Sequence, residues 1–385
     1  MRTGSIFRSS LFGLLCWLAP AHGAEVAAQG TVVNGDLISQ KLSLKGPIVA
    51  GDTERVRRLI HDEQEYVITL QSQGGDFNEG LKLAAYFNER LIGTVVEPGA
   101  ACYSACAIAF LGGTMSGEEG SHPARSIGAN ARLAFHAPFL NIQEASFDKA
   151  SVEMAYDKAV KTITDFVAQT RKLDITPDVA AEMMTPQRRD MFVVDTVAEV
   201  QRVGIEIQEV RRPKVLTLSM AKNLCGNAWN WNNVDPSYRA RIDDLIASFG
   251  WRPDKAKLTI RTDYFGKPEK VTRLLIPTRG EEEGEGYYWC MLDIARRKSD
   301  WELSCRGYVV APSLGDALSL SREFDDPANG EYGNPDTQCA VSGALDPLDR
   351  FGGNNEERWA LVPEGTSVAD VGAVLAKYVA DEPPL

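Results

Sequence analysis

The stretch "GAACYSACAIAFLGG", from Gly99 to Gly113, decides how the first half of this chain reads. It follows "IGTVVEPG" (Ile92–Gly99), a β-branched run closed by turn residues, which reads as a strand. Small residues then lead into Ala105, Ala107, Ile108, Ala109, Phe110 and Leu111, which leave a helix almost no polar face. Ser104 stands at the start of that buried helix. There the first backbone N–H groups lack partners and the helix dipole is positive, a favourable place to form an oxyanion.

A serine needs a base to act as a nucleophile. Only three histidines lie beyond the first 23 residues: His61, His122 and His136. His136 ends the strand "ARLAFHAP" (Ala131–Pro138) and is the natural candidate. His61 falls in the charged "RRLIHDEQE" and His122 in a Gly/Ser loop, where both are expected at the surface. Gly74-Gly75, directly after the strand "EYVITLQS" (Glu65–Ser72), suits two backbone N–H groups facing a ligand with no Cβ in the way.

Around these residues, strands alternate with helices. "DFNEGLKLAAYFNERL" carries Leu81, Ala84, Ala85 and Asn88 at helical spacing. Ser146–Leu173 reads as one long amphipathic helix, and Thr176–Met184 starts another with Pro177 in its first turn. The pattern implies a parallel α/β layout over residues 24–212. "VRRPKV" (Val210–Val215) reads as a linker. Beyond it, over 213–385, lie six of the seven tryptophans and four cysteines, in an α+β domain with no family resemblance.

Residues 1–23 read as a secretory signal peptide: Arg2 and Arg8, an apolar run from Leu11 to Leu18, then small residues at Ala21–Ala24. Its loss takes the net charge from −12 to −14, which argues against a nucleic-acid partner. No later stretch is apolar enough to span a membrane. Six cysteines remain in an exported chain, which favours disulfides over zinc, since no Cys-x-x-Cys occurs. A hairpin over Gly286–Val310, turning near Lys298, would set Cys290 opposite Cys305 and leave Cys225 for Cys339. Cys102 and Cys106 read either as a disulfide, if Cys102 precedes the helix, or as two small buried residues. No metal or calcium site is expected, because "RGEEEGEG" (Arg279–Gly286) lacks the ligand spacing of a calcium loop.

Taken in order, "LKGPIVAGDTERVRRLI", "VITLQSQGGDFNEGLKLAAYF", "ACYSACA", "LAFHAPF" and "EVQRVGI" resemble the Clp protease proteolytic subunit and the wider ClpP/crotonase superfamily. The resemblance covers roughly residues 40–210 and implies a spiral of ββα units. It makes Ser104 the nucleophile, His136 the base, and the N–H groups of Gly75 and Ala105 the oxyanion hole. It offers Asp190 as the third triad member. Asp195 reads instead as a helix N-cap, with Thr196 and Glu199 forming a capping box. The helix over 150–173 resembles the handle by which such subunits associate, so a homo-oligomer is implied. The expected activity is that of an exported serine hydrolase acting on peptides or unfolded protein, without cofactor or ATPase partner. The alternative is a catalytically degenerate ClpP-fold binding or scaffold protein of the cell envelope. Acyl-CoA chemistry is disfavoured by export.

Overall fold

The computed structural model describes residues 23–385 apart from 35–36, 62–63, 118–119, 139–147, 186–189, 209, 212, 233–235, 265–266, 281–285, 297–300 and 324–357. It is a mixed α/β structure with several sheets. The first half opens with β1 (Glu25–Asn34) and β2 (Leu37–Lys45), an antiparallel pair, and then α1 (Asp52–Arg57). Next come β3 (Glu65–Gln71), α2 (Phe77–Glu89), β4 (Ile92–Val96), β5 (Ala101–Tyr103) and α3 (Ala105–Phe110). A small hairpin of β6 (Thr114–Gly117) and β7 (Gly120–Pro123) leads to β8 (Arg125–Ile127) and β9 (Arg132–Phe135). The half closes with α4 (Lys149–Thr170), α5 (Pro177–Met184), β10 (Phe192–Val194), α6 (Val197–Val203) and β11 (Glu206–Ile207).

Six of these strands form one sheet in the order β1-β2-β3-β4-β8-β11, parallel throughout except at the β1/β2 edge. A second sheet has the order β10-β9-β5. The two meet where Ser72, just past β3, bridges Cys102 on β5. All five residues of β4 are buried, as expected of an interior parallel strand.

Small residues let α2 and α3 pack backbone to backbone. A Cβ at Gly80 would lie 2.4 Å from the Ala105 carbonyl oxygen, and one at Gly112 would lie 2.2 Å from that of Ala84. Asp76 caps α2 by accepting the Glu79 N–H at 3.0 Å, a cap worth about 1 kcal/mol. Buried Glu79 in turn accepts the Thr53 N–H at 2.8 Å, which ties α1 to α2. Burial alone would raise the Glu79 pKa. Its hydrogen bonds from Thr53 and Gly51 and the charge of Lys82 outweigh that and hold it below the usual carboxylate value. The long helix α4 buries only Thr162 and Phe166 and exposes Val152, Met154, Tyr156, Val160, Ile163 and Val167.

The second half holds α7 (Leu218–Asn232), α8 (Ile242–Phe249), an antiparallel meander and two further helices. The meander is β12 (Lys257–Tyr264), β13 (Lys267–Gly280), β14 (Tyr287–Arg296) and β15 (Trp301–Ala311). The helices are α9 (Leu314–Glu323) and α10 (Val371–Asp381). Arg273 on β13 and Asp293 on β14 form a fully buried bidentate pair at 2.7 and 2.8 Å, and Arg273 also donates to the Ser321 carbonyl of α9.

The β14/β15 hairpin forms, but not in the expected register. From the turn the ladder already pairs Arg296 with Trp301 and Leu292 with Cys305, and a bulge between Met291 and Leu292 then sets Cys290 opposite Tyr308. The expected Cys290–Cys305 bridge is therefore not made. Cys290 is joined to Cys225 of α7 instead, with Cα atoms 6.0 Å apart. This also removes Cys225 from the expected pairing with Cys339, which lies outside the described residues. Cys102 and Cys106 form a second disulfide, possible because Cys102 lies on β5, ahead of the helix.

The segment just past the composition break is held by the second half: the Trp301 indole N–H donates to the Pro213 carbonyl at 3.1 Å, and the Leu385 N–H to that of Leu216 at 2.9 Å. Contacts across the break are made at α6. The Val197 and Ala198 N–H groups, at the start of α6, donate to the carbonyls of Thr366 and Glu364 at 3.0 and 2.9 Å. Non-reducing peptide mapping should return Cys225 joined to Cys290 and Cys102 joined to Cys106. A Cys290–Cys305 peptide would show the bulged register to be wrong.

Candidate functional site

β5 ends at Tyr103 and α3 begins at Ala105, so the strand turns into the helix through one residue, Ser104. Its backbone sits at φ 57° and ψ −122°, a region that residues with a Cβ rarely occupy. Neighbouring hydrogen bonds hold it there. The Ser104 N–H donates to the Ala134 carbonyl, the Tyr103 N–H to that of Ser72, and the Ile108 N–H to that of Ser104, each at 3.0 Å. Ser104 occupies the N-cap position of α3, yet its hydroxyl makes no capping hydrogen bond. The hydroxyl is thus not committed to the task serine usually performs at an N-cap.

β5 and β9 are parallel neighbours, with Tyr103 opposite Ala134. Ser104 and His136 therefore leave the same end of adjacent strands. His136 is 4% exposed, and its Nδ1 lies 2.7 Å from the Ala137 carbonyl oxygen. A carbonyl only accepts, so in this contact Nδ1 carries the proton and the lone pair of the neutral ring falls on Nε2. The other two histidines lie elsewhere. His61 is exposed in the loop leading into β3, at the opposite end of that strand from Gly74. His122, expected at the surface, sits half-buried on β7 because the Gly/Ser segment folds as a hairpin.

Gly74 and Gly75 follow β3 with φ of 98° and 148°, both in the range that favours glycine. At Gly74 the close approach is to Ser104 itself. A Cβ there would lie 2.7 Å from the Ser104 Cβ, 2.8 Å from the Tyr103 carbonyl oxygen and 3.3 Å from the Ala105 nitrogen. At Gly75 a Cβ would lie 2.1 Å from the Ile48 carbonyl oxygen. The bridge to Ile48 runs from the Ile48 N–H to the Gly74 carbonyl at 3.0 Å and from the Asp76 N–H to the Ile48 carbonyl at 2.9 Å. That bridge does not use the Gly75 amide. The Ala105 amide opens α3 and has no acceptor within the helix. Ser72 fixes the turn: its Oγ accepts the Gly74 N–H at 3.0 Å.

Asp190 is exposed and precedes β10, whose Phe192 pairs with Phe135 of β9, next to His136. Asp195 does not cap α6. Thr196 is the N-cap, in a reciprocal capping box with Glu199 whose oxygen also accepts the Asp195 N–H at 2.9 Å. Burial, with the charge and hydrogen bond of Glu199, pushes the Asp195 carboxyl above its usual range. Among the described residues no group of three or more His, Cys, Asp or Glu side chains is placed to hold a metal ion. Sequence reasoning missed Ser72 and the Ala137 carbonyl. The serine in "LQSQGG" was the visible signal for the first. A cavity of about 350 Å³ lies in the second half, lined by Phe249, Trp251, Arg252 and Trp289 among others, and none of the Ser104 cluster contributes to it.

No protein-family model matches the chain, and no curated protein matches it in sequence. Among solved structures, one likeness is to a serine-to-alanine variant of the 1510-N membrane-bound stomatin-specific protease. It is a distant likeness, 14% identical with a TM-score of 0.29, covering 43% of this chain and 76% of that one.

The packing at Gly74 is directly testable. Gly74→Ala combines an unfavourable φ with contacts below 3 Å to Ser104 and Tyr103. It should destabilise the fold by about 1–3 kcal/mol in urea titration. A stability within error of wild type would show that the 72–75 turn does not abut Ser104 as described.

Proposed function

We propose that this chain is a ClpP-like serine hydrolase acting on peptides. The observation that carries the reading is Ser104, held at positive φ where a strand turns into a buried helix, its hydroxyl not used for capping, beside the strand end that bears His136. In this reading the Ser104 hydroxyl attacks the scissile carbonyl while His136 Nε2 takes its proton. The developing oxyanion is met by the amides of Gly75 and Ala105. Such a donor is worth about a hundredfold or more in rate where water is excluded. His136 then returns the proton to the leaving amine, and water releases the acyl group by the reverse path. Asp190 is the third member and acts by orienting the imidazole. The Ala137 carbonyl already fixes the ring tautomer through Nδ1, so the rate should depend less on Asp190 than on His136.

The peptide substrate would be met in an oxidising, exported compartment, in keeping with the two disulfides. ATP is scarce there, so the substrate would arrive already unfolded or short. The exposed apolar residues of α4 suit self-association through that helix. The exposure of Asp190 favours one alternative, a degenerate site whose strand ends hold a peptide without cutting it.

A fluorophosphonate probe separates the two. Wild type should label, Ser104→Ala should not, and His136→Ala should label about a hundredfold more slowly or worse. Asp190→Asn should cause a smaller loss. If folded wild type takes no label and Ser104→Ala leaves peptide hydrolysis unchanged, the binding reading replaces the hydrolase.

A further inference from the structure

We infer that the Cys102–Cys106 disulfide is a positioning bond for Ser104, holding the strand-to-helix turn in the backbone conformation that presents the hydroxyl. The inference rests on the serine-hydrolase reading above. The bond brackets Ser104: Cys102 lies two residues before it on β5, and Cys106 two residues after it on α3. It therefore joins the two elements whose junction Ser104 makes.

A bond of this span is poorly suited to stapling the fold. The stabilisation a disulfide draws from the unfolded chain grows with the loop it closes. Here the cysteines are 4 residues apart, against 65 for Cys225–Cys290. Nor is the site arranged for thiol chemistry, since both cysteines are 0% exposed. What remains is a local effect on the residue between them.

That residue has a conformation to lose. Ser104 is followed by "ACAIAF", a run with good helical propensity through its alanines. Left to itself, the helix gains by extending backward, with Ser104 relaxing to a negative φ. On the strand side the turn is held by hydrogen bonds from Ser104 to Ala134 and from Tyr103 to Ser72. On the helix side it is held by the Ile108 N–H on the Ser104 carbonyl. The disulfide is a second covalent link between those two sides, beside the main chain through Ser104. By fixing the Cα atoms of Cys102 and Cys106 at 5.1 Å, it opposes the rotation that would straighten the turn.

The test compares Cys102→Ala/Cys106→Ala with Cys225→Ala/Cys290→Ala in the full chain. The first should lower the fluorophosphonate inactivation constant kinact by about tenfold or more, with KI for the probe unchanged. The second should lower the melting temperature and leave kinact alone. Amide hydrogen exchange gives a readout independent of activity: the Ser104 and Ile108 amides should lose protection in the first variant only. Should the alanine pair not fold, Cys102→Val/Cys106→Ala restores a strand-forming residue on β5 and takes its place. Unchanged kinact and unchanged protection at Ser104 and Ile108 would overturn the inference. If wild type takes no label, the hydrolase reading fails on its own. The exchange data then decide this point: lost protection supports the positioning bond, and equal protection refutes it.

Discussion

The candidate site depends on how closely four stretches of backbone approach one another. The turn after β3 meets both the junction between β5 and α3 and the segment at Ile48, and the first turns of α2 meet that same junction, each contact falling at a glycine. Gly74 lies against Ser104, Gly75 against Ile48, and Gly80 against Ala105. Each contact would bring an added Cβ within 3 Å of another atom. Close backbone approach of this kind leaves no room for a Cβ at these glycines.

Much of this was legible in the sequence, for physical reasons that differ from element to element. The apolar run after Ser104 marked a buried element, and its alanines favoured a helix over a strand. Gly74-Gly75 marked a backbone contact because only glycine tolerates those φ values. Strand ends were readable at His136 because turn residues follow it. What could not be read was register and precise hand-over. The N-cap of α6 falls on Thr196, one residue past Asp195, because the reciprocal hydrogen bonds with Glu199 decide between two adjacent capping residues. The hairpin closes with Arg296 opposite Trp301, which already sets Cys305 opposite Leu292, and the bulge past Met291 carries Cys290 one residue further, to Tyr308. A count of residues about a turn fixes the register only when the centre of the turn is known and the ladder is regular.

The two halves differ in how they resist unfolding. The first relies on apolar helices packed against a parallel sheet. The second places a fully buried Arg273–Asp293 pair inside its meander and ties α7 to β14 through Cys225–Cys290. A buried ion pair contributes little net stability, yet removing one partner leaves a charge without compensation, at a cost of about 3–5 kcal/mol. The meander's strand alignment is thereby made intolerant of error. The buried apolar side chains of both halves also run together into one cluster, so packing defects in either are felt in the other.

The start of α6 has a consequence for synthesis. Its first amides at Val197 and Ala198 find their acceptors at Glu364 and Thr366, and the Asp195 carbonyl finds its donor at Val368. A ribosome adding residues at about 5–20 per second reaches those partners roughly ten to thirty seconds after α6 has been made. Over that interval water must stand in for them, and the edge of the first half stays unfinished. A nascent chain of this protein therefore passes through a long stage in which β5, α3 and β9 are complete in sequence while the neighbouring helix still waits for its last bonds.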